Sequence, residues 1–280
     1  MPELPEVETV RRLLHQTLVG RTVVEVEAAP DEIVYEGLSP EVVCSAVLGR
    51  SVVGTGRKGK IFWIELDGKP WLFGHLGMSG WVRELGEEGP RLVSHGDAPL
   101  DDEEGRPRFL KLMLTTDENR RVAFTDGRRL GRIWLGDDPT KDPRVAALGP
   151  DALLSPLTAQ DMARVFVNRR APIKSLLLDQ RLFAGVGNWV ADEVLYQARI
   201  APARPANSLT DPEVAALADA LRNVLKFAVD VDADAGRYPE DWLFAHRWGG
   251  RHGSDAVMGR PIRRDKIGGR TAAWVPDLQR

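Results

Sequence analysis

Apolar positions recur at helical spacing from Pro5 to Leu18, with Val7, Val10, Leu13, Leu14 and Leu18 on one stripe and Gly20 placed to stop the helix. The period then falls to two. Residues 60–66 (KIFWIEL), 70–76 (PWLFGHL), 108–116 (RFLKLMLTT), 120–126 (RRVAFTD) and 132–136 (RIWLG) read as strands between Gly, Pro and Asp turns. An antiparallel sandwich buries such strands most economically. Residues 137–156 are rich in Pro, Gly and Asp and carry little period, which marks a linker. Helical spacing then returns. Thr158 can cap a helix running through Asn168, Pro172 starts a short one, Asn188 can cap another through Arg199, and Asp211-Pro212-Glu213 opens a long one to about Val229. Beyond Trp242, Gly-rich turns separate two short β-prone stretches, a basic hairpin. The expected division is a sandwich over 1–136, a linker over 137–156, a helical domain over 157–236 and a hairpin over 237–280.

With 280 residues, 43% hydrophobic and 28% charged, the chain has the composition of a globular protein of about two domains. No run approaches the roughly 18 apolar residues of a membrane span. The start, MPELPEVE, is acidic where a signal peptide is basic and then apolar, so the expected location is the cytosol and nucleoid, or the nucleus in a eukaryote. Cys44 is the single cysteine, which excludes an intrachain disulfide and a multi-cysteine zinc site. A net charge of −3 speaks against a polyanion partner if charge is spread evenly. It is segregated instead. Residues 244–280 carry eight basic side chains against three acidic ones, and Arg57-Lys58-Gly59-Lys60 and Arg120, Arg121, Arg128, Arg129 and Arg132 form further basic islands. Such islands suit a basic face, although solvated surface charge explains any one of them.

The amino terminus carries the sharpest chemistry. Removal of Met1 would expose Pro2 as a secondary amine, and an α-amino group with an unperturbed pKa near roughly 8 is partly neutral at physiological pH. Such an amine condenses with an aldehyde carbon to an iminium ion without losing a further proton. Glu3, Glu6 and Glu8 stand beside it as candidate proton carriers. The plain alternative is a helix start in which Pro and acids are favoured by position and dipole. In GVGN, Gly185 and Gly187 permit backbone N–H groups to approach an anion at the helix begun by Asn188, with phosphate the natural ligand; a Gly-rich turn between helices is the plain alternative. His75 is a phosphate donor or a satisfied half-buried histidine. Met78 alone reads as core, but its setting in HLGMSG implies a turn.

Taken in order, MPELPEVETVRR, Lys60 in GRKGKI, GHLGMSG (74–80), TDGRRLGR (125–132), LFAGVGNWVADEVLY (182–196) and KIGGRTAAWVPDLQ (266–279) resemble the formamidopyrimidine-DNA glycosylase and endonuclease VIII family over nearly the whole length. The resemblance implies an α+β fold: an amino-terminal antiparallel β-sandwich with a leading helix, a helix-two-turn-helix domain, and a carboxyl-terminal β-hairpin finger. It implies a monomeric base-excision repair enzyme, with damaged double-stranded DNA as partner and no membrane, that removes oxidised bases and cuts the strand at the abasic site. Pro2 would attack C1′, Glu3 would be the general acid, Lys60 would bind phosphate beside the lesion, and Glu6 would support the pocket without moving a proton. Met78 matches the void-filling methionine, Arg128 the residue that meets the orphaned base, and Leu130 stands where phenylalanine is commoner, which leaves the opposite-base preference open. Arg129, Lys174, Asn188, His75 and the finger arginine, Arg270, complete the expected DNA contacts.

The tail departs from many relatives, which carry four zinc-binding cysteines there. His246 and His252 cannot supply four ligands, so no metal or cofactor is expected and the finger resembles the zinc-free kind, held by Trp248, Trp274 and Val275. The region 230–251 is short where relatives cap flipped 8-oxoguanine. Weak action on 8-oxoguanine and better action on formamidopyrimidines, hydantoins and abasic sites is therefore expected. Two other classes are compatible with the motifs: a DNA-binding module without catalysis, and an RNA- or ribosome-associated protein using the helical domain alone. Retention of Pro2, Glu3 and Lys60 argues against the first, and the sandwich would have no task in the second.

Overall fold

The computed structural model describes residues 2–87, 98–249 and 255–280, arranged as two compact units. The first comprises residues up to Ala147 together with Asp232–Asp234. Its helix α1 (Leu4–Leu18) starts at Glu3, whose backbone N–H donates to Glu6 Oε2 at 2.9 Å in a capping box, with Pro5 in the first turn. The apolar stripe buries Val7, Val10, Leu14 and Leu18. Behind it lie β1 (Val23–Ala28), α2 (Pro40–Val47), β2 (Val52–Lys58), β3 (Ile61–Leu66), β4 (Trp71–His75), β5 (Trp81–Glu84), β6 (Leu110–Thr116), β7 (Arg121–Thr125), β8 (Arg132–Gly136) and α3 (Pro143–Ala146).

The strands form two four-stranded antiparallel sheets, β1-β6-β7-β5 and β2-β3-β4-β8. Their inner faces share one apolar core with α1, in which the Phe62 and Phe124 rings stack at 6.2 Å. Gly56 in β2 is required by packing, because a Cβ there would lie 2.3 Å from the Trp63 indole. Residues 137–147 pack with this unit, and Asp142 caps α3 by accepting from the Arg144 and Val145 N–H groups.

The second unit comprises Leu148–Val231 and Ala235–Arg280. It holds α4 (Ala159–Phe166), α5 (Ile173–Leu177), α6 (Asn188–Gln197), α7 (Asp211–Asp230) and the short strands β9 (Ala256–Val257), β10 (Arg260–Pro261), β11 (Arg263–Ile267) and β12 (Arg270–Trp274). Thr158 caps α4 with Asp161 in a capping box, and Thr210 with Glu213 does the same for α7. α6 begins one residue earlier than a cap at Asn188 requires. Gly187 takes the extended cap conformation (φ −123°, ψ −161°), and Asn188 is already helical.

The β11–β12 hairpin closes at Gly268-Gly269, and its Ala273, with Val257, Ile262 and Val275 from the flanking segments, packs with Tyr196 and Leu243 in one cluster. Neither Trp248 nor Trp274 is in this cluster; Trp248 meets buried Phe244 edge-on at 6.4 Å. It is 48% exposed, with the Arg247 guanidinium 4.5 Å from its ring, whereas Trp274 is half-buried and donates from Nε1 to Asp265.

Candidate active site

The beginning of α1 places three expected residues in one buried turn. Pro2, Glu3 and Glu6 are all buried, and the Glu3 N–H to Glu6 carboxylate bond fixes Glu6 against the backbone of Glu3. Glu8 is one turn further and is not a proton carrier. Burial alone would raise its pKa, but Arg11 at 2.8 Å and Arg57 at 2.9 Å outweigh burial and hold the carboxyl below its ordinary range.

Arg57 has a second bond that no local motif announces. Its side chain is fully buried, its Nε donates to Glu8, and its Nη1 donates to the Gly59 carbonyl at 2.9 Å. Lys58 pairs with Ile61, so Gly59 and Lys60 form the two-residue turn joining β2 to β3, with Gly59 at φ +59°. One guanidinium thus ties α1 to the turn that presents Lys60. His75 pairs with Arg132 and with Ile61, the residue after Lys60. Its Nδ1 accepts from the Gly77 N–H at 3.0 Å, which leaves Nε2 protonated. Burial, then the Lys60, Arg132 and Arg144 charges, push its pKa down to about 4, so the ring is neutral near pH 7.

Two loops are held side by side by one buried carboxylate, Asp126. Its Oδ1 accepts from Ser79 Oγ at 2.7 Å and the Arg128 N–H at 3.0 Å, and its Oδ2 from the Leu130 and Gly131 N–H groups at 2.8 and 2.6 Å. Gly77, at φ +60°, lets the loops touch, since a Cβ there would lie 2.3 Å from the Leu130 carbonyl. Met78 and Leu130 are therefore neighbours, and each is 39% exposed. Arg128 is exposed beside them. Two exposed apolar side chains and an arginine on adjoining rigid turns make a surface suited to insertion into a base stack. Arg129 has a structural partner as well. It sits at φ +56° and its guanidinium forks onto Asp31 at 3.0–3.1 Å, which fixes the turn, while its side chain stays 49% exposed. Burial raises the Asp31 pKa, but Arg129 and Lys111 more than reverse this and hold the carboxyl far below the usual range.

The second unit reassigns two further expectations. The Gly185 N–H does not wait for an anion; at φ +101° it donates to Gln180 Oε1 at 3.0 Å, while Gln180 Nε2 donates to the Leu178 and Val186 carbonyls. Gln180 therefore builds the GVGN loop from inside. Lys174, expected on the DNA surface, is 0% exposed. Its Nζ bonds Asp192 Oδ1 at 2.6 Å and the Thr271 carbonyl at 2.9 Å. A charge so enclosed cannot reach a phosphate. Asn188 is half-buried at the head of α6 and donates to the same Thr271 carbonyl at 3.1 Å. Arg270, at the finger turn, is exposed, and no side-chain partner among the described residues engages it.

Met1, Arg251 and His252 lie outside the described residues. Among the described residues no group of three or more His, Cys, Asp or Glu is arranged to hold a metal ion, and no helix is long and apolar enough to cross a membrane.

Two family models match the chain: the formamidopyrimidine-DNA glycosylase N-terminal domain over residues 1–133 and the formamidopyrimidine-DNA glycosylase H2TH domain over residues 148–239. The chain is 39% identical over its full length to an Arabidopsis thaliana formamidopyrimidine-DNA glycosylase, of which it covers 71%. It is 41% identical over 82% of its length to the Paracoccus denitrificans protein of that name, of which it covers 78%. Its fold also matches a crystal structure of Lactococcus lactis Fpg (MutM) in complex with DNA containing an oxidised pyrimidine, with a TM-score of 0.80, 25% identity and 100% of each chain covered. The Met78, Asp126 and Lys60 loops thus stand on a known scaffold, and the chain belongs to the formamidopyrimidine-DNA glycosylase family.

Proposed function

We propose that this protein removes oxidised bases from double-stranded DNA and cleaves the strand at the resulting abasic site, acting wherever DNA resides, in nucleoid or nucleus. The observation that carries the reading is the buried link from Glu8 through Arg57 to the Gly59 carbonyl, which fixes the Pro2-Glu3 end of α1 and the Lys60 turn within one rigid frame. With Met1 removed, the Pro2 nitrogen forms a bond to C1′ of the extruded nucleotide as the glycosidic bond breaks, and the base leaves with that electron pair and a proton. Glu3 gives a proton to the ring oxygen as the nitrogen lone pair opens the sugar to an iminium ion. The iminium makes the C2′ proton acidic. Its loss expels the 3′ phosphate by β-elimination, a second elimination expels the 5′ phosphate, and water frees Pro2.

Lys60 binds phosphate beside the lesion, and neutral His75 offers its Nε2–H nearby. Met78 and Leu130 fill the space vacated by the nucleotide while Arg128 meets the unpaired base. Arg270 and the head of α6 at Asn188 hold the backbone. The short 230–251 region favours formamidopyrimidines, hydantoins and abasic sites over 8-oxoguanine. The test is borohydride trapping on duplexes carrying each lesion. A covalent adduct with the wild-type protein and none with Pro2→Gly is expected, with least adduct on 8-oxoguanine. Equal trapping by Pro2→Gly would refute the mechanism, and preferred action on 8-oxoguanine would refute the lesion preference.

A further inference from the structure

Lys174 and Asp192 form a fully buried ion pair that also bonds the finger and the segment before it. Lys174 Nζ donates to the Thr271 carbonyl at 2.9 Å. Asp192 Oδ2 accepts from the Ala273 N–H at 3.1 Å and from Arg247 Nη2 at 2.6 Å. The finger turn also rests on α5: Gly268 lies so close to Ser175 that a Cβ there would sit 2.4 Å from its Oγ. Thr271 is next to Arg270, the one residue of the turn whose guanidinium points to no protein partner among those described. A hairpin of two five-residue strands is marginal by itself, so its aim must be set by the surface on which it sits.

We propose that Lys174 is a positioning residue for DNA binding: anchored by Asp192, it grips the Thr271 carbonyl and so aims Arg270 at the phosphate backbone. The proposal rests on the assignment of Arg270 as a phosphate ligand. It gives a basic residue of the helical unit an internal task, and makes α5 and α6 the seat of the finger. Losing the Lys174 ammonium leaves Asp192 paired with Arg247 and leaves Asn188 on the Thr271 carbonyl, so Lys174→Met strands neither an acidic charge nor that carbonyl.

The test is the salt dependence of binding to a duplex containing a tetrahydrofuran abasic analogue, measured for wild type, Lys174→Met, Arg270→Ala and the double variant. Each phosphate contact contributes about one to the slope of log Kd on log salt. Arg270→Ala and Lys174→Met should each lower the slope by about one, and the double variant by about one rather than two. A double variant lower by two would overturn the proposal, since Lys174 would then hold a phosphate of its own. An unchanged slope for Lys174→Met would overturn it as well. If Arg270→Ala itself leaves slope and affinity unchanged, the assignment of Arg270 fails and the proposal falls with it. Should Lys174→Met not accumulate as folded protein, Gly268→Ala decides: it removes no charge but displaces the turn from Ser175, so the slope should fall by about one, and a full wild-type slope would overturn the proposal.

Discussion

Replacing Asp126 tests whether one carboxylate organises the loops assigned to fill and read the vacated base site. Its two oxygens accept four hydrogen bonds, from Ser79 Oγ and the Arg128, Leu130 and Gly131 N–H groups. A hydrogen bond to a charged group contributes about 1.5–3 kcal/mol, so a simple sum would reach about 6–12 kcal/mol. That sum is too large. Arg128 and Leu130 lie on an exposed turn where water can replace the carboxylate, whereas the bond to Gly131 is buried and that to Ser79 partly so. Counting those two gives about 3–6 kcal/mol for Asp126→Ala, and about half for Asp126→Asn, which keeps one oxygen. Urea unfolding measures the loss. Binding to abasic-analogue duplexes with each of the four bases opposite measures the function, and discrimination among them should flatten as Arg128 loses its anchor. A stability change within about 0.5 kcal/mol together with unchanged discrimination would refute the assignment of Asp126 as the hub.

Three further outcomes follow from the same structure. Arg57→Met removes the Arg57 bonds to Glu8 and to the Gly59 carbonyl; it should cost about 3 kcal/mol and slow adduct formation more than it weakens DNA binding, and equal effects on both would contradict the positioning of the Lys60 turn. Gly77→Ala puts a Cβ at φ +60° and 2.3 Å from the Leu130 carbonyl, so it should disrupt binding to abasic-analogue duplexes as strongly as Met78→Ala and Leu130→Ala combined, checked by their dissociation constants. Glu193 is buried, and burial pushes its pKa up to about 8 despite bonds from Gln197 and the Phe244 N–H. The native state therefore holds this proton more tightly than the unfolded chain. Its contribution is complete below about pH 4.5 and is lost as pH rises toward about 8, so the wild-type thermal midpoint should fall across that window relative to Glu193→Gln. Parallel pH profiles for the two proteins would contradict this.

The α1 stripe and the capping signals at Thr158 and Asp211-Pro212 were legible because each depends on neighbours within a few residues. Strand β2 was not, since Gly54 and Gly56 dilute its pattern and owe their place to side chains on β3, Glu65 and Trp63. β1 escaped notice because only Val23 is fully buried in a strand whose other residues are exposed or half-buried. α2 is brief, and its Ser39-Pro40-Glu41 start resembles a turn. In the site, the motifs located Met78, Arg128 and Leu130, yet nothing local tells that Asp126 serves both loops or that Arg129 turns back to Asp31. Lys174 shows the same limit more sharply. A lysine amid basic and glycine-rich motifs reads as a DNA ligand until Asp192, 18 positions later, is seen to bury it.

The first unit is completed by Asp232–Asp234, a tripeptide made long after the rest of the sandwich. Ala233 enters the apolar core and Asp232 pairs with Arg12, both at left-handed backbone angles. During translation the nascent sandwich must therefore wait while almost ninety further residues are polymerised, a delay on the order of ten seconds at typical ribosomal speeds. A gene fragment ending at codon 147 would yield a sandwich whose core lacks Ala233, prone to self-association, and a peptide spanning the missing tripeptide should aid its refolding.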